Sequence, residues 1–137
     1  MKSALIASML SCVFALTACA HAAPSDPADA KPNGGGDAAR PGQPLSMQPG
    51  DEVTLPDHSR LRFVAVTADS RCKPGLQCIW AGDATLEFQW TGSDGSQTSV
   101  SLNTPAEPSK SAGAWTFELQ ALDFAEPPHA TVQFQAK

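Results

Sequence analysis

From residue 84 the chain alternates with period two, with Ala84, Leu86, Phe88 and Trp90 on one parity and Thr85, Glu87, Gln89 and Thr91 on the other. Successive strand side chains point to opposite faces, so this run predicts an antiparallel strand with one face in a core and one in water. Residues 61–68 are richer in apolar and β-branched residues on both parities and predict a more central strand. Thr98, Val100 and Leu102 alternate with Ser99 and Ser101, and near the end Val132 and Phe134 alternate with Gln133 and Gln135. Trp115, Phe117 and Leu119 alternate with Thr116, Glu118 and Gln120, after which Leu122 and Phe124 switch phase, predicting a bulge or bend near Ala121. The predicted interior is Leu86, Phe88, Trp90, Phe117, Leu119, Val132 and Phe134.

Turn chemistry separates these runs: Pro56-Asp57-His58-Ser59, Gly92-Ser93-Asp94-Gly95, residues 104–113 with two prolines, and Glu126-Pro127-Pro128. Six to seven short strands within residues 51–137 predict an all-β fold, an antiparallel β-sandwich that is Ig-like in shape, with a small closed barrel as the other solution. The tyrosine corner of true Ig domains is excluded, because the chain has no tyrosine.

The N-terminal pattern is of a different kind. Lys2 precedes an apolar stretch over residues 4–18, too short for a comfortable bilayer span and suited to the h-region of a signal peptide. It ends in Leu16-Thr17-Ala18-Cys19, which looks like a bacterial lipobox, so residues 1–18 are expected to be removed and Cys19 to be the lipid attachment site. Cys12 is a poorer candidate, since Met9-Leu10-Ser11 lacks the small middle residue. An ordinary secretory peptide cut after Ala20 or Ala23 is the other reading. Ala20, rather than Asp, follows the cysteine, which favours an outer-membrane lipoprotein facing the periplasm or the cell surface. Residues 19–50 contain six of the 12 prolines and five glycines and almost no large apolar side chains, so they are expected to form a disordered, lipidated tether.

Charge removes one class of partner. Nine Lys and Arg against 14 Asp and Glu give −5, and loss of Lys2 with the leader makes the product more acidic still, the wrong sign for a nucleic-acid binder. No cofactor is expected, since neither a phosphate-binding loop nor a dinucleotide fingerprint occurs. His21, Asp26, Asp29 and Asp37 in the tether read as solvated spacer. His58 and His129 read as surface turn residues, and no spacing converges them with Met47 on a metal.

The conspicuous motif is Asp69-Ser70-Arg71-Cys72-Lys73-Pro74-Gly75-Leu76-Gln77-Cys78-Ile79-Trp80-Ala81-Gly82-Asp83-Ala84, between two predicted strands. In an exported chain, two cysteines six positions apart with Pro-Gly between them predict a local disulfide, Cys72 to Cys78. A redox catalyst would want Cys-x-x-Cys at a helix N-terminus. Gly-x-Ser-x-Gly is absent, Gly92-Ser93-Asp94-Gly95-Ser96 has the wrong register for it, and a non-enzyme is expected. The run resembles a family of small secreted or lipid-anchored bacterial proteins carrying Asp-Ser-Arg-Cys-Pro, four further residues, then Cys-Ile-Trp-Ala-Gly. The late Leu-Gln-Ala-Leu-Asp-Phe-Ala-Glu-Pro-Pro run is also similar, and the resemblance covers most of residues 51–136. Lys73 departs from it, with Pro74 one place late. The resemblance implies a β-sandwich and brings no catalytic residues.

Two functions follow from this reading. One is a membrane-anchored, non-catalytic binding or structural module. The other is an inhibitor or chaperone of a periplasmic enzyme, a protein partner met through loop 69–83. The candidate interaction residues are Arg71 and Trp80, although Arg71 is more simply expected to pair with Asp69 or Asp83 on its own surface. Trp90 and Trp115 follow the inward parity, while Trp80 does not belong to a clear strand pattern.

Overall fold

The computed structural model describes residues 38–137. Eight strands and no helix occur among the described residues: β1 (Leu45–Met47), β2 (Glu52–Thr54), β3 (Arg60–Asp69), β4 (Ala84–Thr91), β5 (Gln97–Thr104), β6 (Ser109–Ala112), β7 (Trp115–Leu122) and β8 (Ala130–Ala136). They pair antiparallel in two four-stranded sheets of order β1-β8-β7-β6 and β2-β3-β4-β5, the predicted β-sandwich. All seven residues expected inside are buried. Phe63 stacks on Phe88 at 4.7 Å between ring centroids, and Trp115 meets Phe134 edge-on at 5.2 Å.

β4 has the burial its alternation predicts, with every even position inside and every odd one partly wet. β3 lies between β2 and β4 as expected of a more central strand, but only one of its faces is buried. Leu61 and Phe63 point inward, Arg60 and Arg62 outward. Val64, on the outward parity of Arg60 and Arg62, is exposed, and register shifts fall between Phe63 and Ala65 and between Val66 and Ala68. These shifts also break up the part of β3 that extends beyond its pairing with β2, which makes a poor template for another strand. In β7 the shift falls between Leu119 and Ala121, where the change of phase placed it.

One expectation is corrected. The sandwich does not begin at Asp51, because β1 pairs with β8 through Leu45, Ser46 and Met47, and both Ala39 and Met47 are buried in the core. The Ala39 amide donates to the Thr54 carbonyl and the Gly42 amide to that of Phe134. The Pro/Gly composition hid two apolar residues spaced by two, Leu45 and Met47, which suffice to complete a sheet edge once β8 supplies the backbone partners. The proposed tether therefore extends at most to residue 37, which lies, with Cys19 and the leader, outside the described residues.

Strand register defines two poles. At the base, Thr54 pairs with Arg60, Arg60 with Thr91 and Thr91 with Gln97, and Ala112 with Trp115 in the facing sheet. Trp115 Nε1 donates to Asp57 across this end at 2.9 Å. At the opposite pole, Asp69 pairs with Ala84, Ala84 with Thr104, and Leu122 with Ala130. The chain reaches the sandwich at the base, through Ala39 beside Thr54. The motif lies at the far pole, about 30 Å away at the ordinary rise of a strand.

Candidate functional site

Beyond Asp69 and Ala84 the β3–β4 pair continues as an irregular ladder. The Ser70 amide donates to the Asp83 carbonyl at 2.8 Å and the Cys72 amide to the Ala81 carbonyl at 2.9 Å. The expected disulfide joins Cys72 and Cys78, with 5.9 Å between their Cα atoms. Inside it, Leu76 N donates to Lys73 O at 3.1 Å, and Gly75 has φ +85° after Pro74, the signature of a type II turn in which proline presets the second position and glycine tolerates the third. Gly82 has φ +73° and lies so close to the Ser70 carbonyl that a Cβ would collide with backbone. These features hold the loop by covalent and main-chain constraints, with little help from a hydrophobic core.

What the loop displays is apolar. Leu76 is 64% exposed, Ile79 fully so and Trp80 66%. Trp90 and Trp115, by contrast, are buried, so of the three tryptophans only Trp80 faces water. With Val64 and Phe124, these three make up the exposed large hydrophobics of the described residues, and none of the five lies at the base. Isolated exposed apolar side chains are common on protein surfaces, but here three fall within five positions of one clamped loop.

No family model, curated protein or solved structure matches this chain.

Arg71 forms the root of the projection. Its guanidinium grips Asp69 bidentately, Nε to Oδ1 at 2.9 Å and Nη2 to Oδ2 at 2.6 Å. Nη1 donates to the Leu122 carbonyl and Nη2 to that of Asp123 at 2.9 Å, so one side chain ties the β3–β4 loop to the end of β7. The planar group also lies over the Phe124 ring, 4.1 Å from its centroid. The Arg71 hydrogen bonds hold the Asp69 carboxyl below its ordinary range, against an opposing push from burial. Pairing with Asp69 was the simpler of the two expectations for Arg71. Its candidacy as a contact residue is weakened, since its donors are spent within the fold and its side chain is 14% exposed.

Asp83 supports the other side of the root. It accepts from Asn103 Nδ2 at 2.9 Å and from Ser70 Oγ at 2.8 Å, and these bonds lower its pKa. A cleft of about 380 Å³ lies between the end of β3 and residues 123–128, with Val66, Phe124 and Pro128 among its apolar walls and Arg71 and Lys73 beside them. His129, on the same pole, has its Nδ1 2.8 Å from Asp123 Oδ2 and its Nε2 2.5 Å from Gln48 Nε2. His58 sits in the Pro56–Ser59 turn at the base, so the fold separates the two histidines. Leu76 and Ile79 escaped selection from sequence, although their place between or beside the cysteines, outside any alternating run, was the available signal.

Proposed function

We propose that this protein is a lipid-anchored, non-catalytic binding module of the bacterial cell envelope, and that the disulfide-clamped loop 69–83 is its contact surface. In this reading residues 1–18 are a lipoprotein signal peptide, Cys19 carries the acyl chains, and the following residues tether the sandwich to the outer membrane on its periplasmic side. The lipobox Leu16-Thr17-Ala18-Cys19 and the motif's resemblance to secreted and lipid-anchored bacterial proteins support the location. The observation that carries the binding reading is the exposure of Leu76, Ile79 and Trp80 together on a loop fixed at its root by Arg71 and at its tip by a disulfide. A preformed loop loses little conformational freedom on binding, so burial of its side chains appears in the affinity with little offset.

Metabolic labelling with a clickable fatty acid tests the anchor. The wild type should be tagged and recovered with outer membranes, and Cys19→Ser should be neither; equal labelling of both contradicts the assignment. For the contact surface, retention of the lipid-free chain on washed envelope vesicles should fall when Trp80 is replaced by Ala.

A further inference from the structure

Resting on the assignment of loop 69–83 as the contact surface, we propose that its partner is a lipid bilayer, into whose interface Leu76, Ile79 and Trp80 insert. The first argument is shape and size. The exposed apolar side chains are three, within five positions of one disulfide-clamped loop, whereas a specific protein interface ordinarily takes about 800 Å² from each partner. A bilayer sets no such minimum and accepts a wedge.

The second argument is chemistry. Aliphatic side chains beside a tryptophan match the acyl boundary and the headgroup level respectively. Lysine can lay its methylene stem along apolar surface with its charge in the headgroups, and Lys73 stands within the disulfide ring. Charge is the third. From Cys72 to Gly82 the loop carries Lys73 and no acidic residue, while Asp69 and Asp83 lie at its root, where Arg71 is already paired with Asp69. Lys73 is thus the one charge the tip offers to anionic headgroups.

The poles make the two membrane attachments compatible. The sandwich is joined to its tether at the base and bears the wedge at the other end. About twenty residues separate Cys19 from Ala39, and at roughly 3.3 Å per residue they can run back along a sandwich about 30 Å long. The acyl anchor keeps the domain on the surface, and the wedge sets which end touches it.

Trp80 supplies the test, because its emission alone should respond to a change at the surface while Trp90 and Trp115 are buried. The chain from residue 20 to 137, which contains the whole described sandwich and lacks the acylated cysteine, is mixed with vesicles of phosphatidylcholine alone or with a third phosphatidylglycerol. The expected results are co-sedimentation and a blue shift of tryptophan emission, with partition about fivefold stronger on the anionic vesicles through Lys73. Ile79→Asp, at a fully exposed position that the fold does not use, should weaken partition about tenfold or more. Trp80→Phe should abolish the shift and keep most of the binding. Absence of both co-sedimentation and shift overturns the proposal, as does partition that Ile79→Asp leaves unchanged. Binding to native envelope vesicles that depends on Ile79 without binding to lipid vesicles overturns it in favour of a protein partner, and leaves the contact-surface assignment standing; loss of tip-dependent binding to both removes that assignment too.

Discussion

Arg71 closes the root of the loop by joining atoms from residues 69, 122 and 123, a convergence that no other side chain in the motif matches. Removing it strands the Asp69 carboxylate and two carbonyls. Arg71→Ala should therefore cost about 2 kcal/mol in chemical denaturation, and Arg71→Lys much of the same, since an ammonium cannot reproduce the planar fork. Asp69 gives this root a pH dependence. Its pKa in the folded chain lies below the ordinary 3.8, chiefly through the Arg71 hydrogen bond, so the stabilisation is fully present above that value and is lost as pH falls through the lower folded one. Asp57 contributes in the same sense, because hydrogen bonds from Ser59 and Trp115 outweigh the opposing effect of burial. Unfolding profiles between pH 6 and pH 2 should show stability declining below about pH 4, with a shallower decline in Asp69→Asn; parallel profiles for the two proteins would contradict the pairing. At Gly82 a methyl group would meet the Ser70 backbone in a left-handed conformation, and Gly82→Ala should cost about 2 kcal/mol or more.

Among the elements, β4 carries the core. Phe88 is fully buried and stacked on Phe63, so Phe88→Ala should cost about 3–5 kcal/mol by denaturation, and a change below about 1 kcal/mol would contradict its place inside. Replacing Cys72 and Cys78 together by serine should cost about 2 kcal/mol on the loop-entropy model, with the sandwich still folded, since the bridge closes only a short loop and holds no core residue. Intact mass with and without reductant reports the bridge itself. The long strands were legible because eight residues display a period-two pattern several times over, as in β4 and the first half of β7. The short ones were not. β1 and β2 have three residues each, and β6 is Ser-Lys-Ser-Ala with a single buried position, so their pairing is decided by backbone partners elsewhere in the fold. At the candidate site the cysteine pairing was legible from compartment and spacing. The grip of Arg71 on the Leu122 and Asp123 carbonyls was not, because nothing in the local motif encodes a contact some fifty residues away.

At the scale of the whole molecule, the sandwich separates its two ends by role. The base receives the chain from the N-terminal side and is closed by the Asp57–Trp115 bond, while the far pole gathers exposed apolar side chains on a loop clamped by a disulfide and by Arg71. The central claim is that this far pole is where the protein makes contact in the envelope. Acrylamide quenching of tryptophan emission tests it most directly, because Trp80 is open to the quencher and Trp90 and Trp115 are buried. The lipid-free chain alone should show one readily quenched component, lost in Trp80→Phe, and adding envelope vesicles should protect that component. Quenching of Trp80 that is unchanged when the vesicles have bound the chain would show that the contact lies elsewhere and contradict the account.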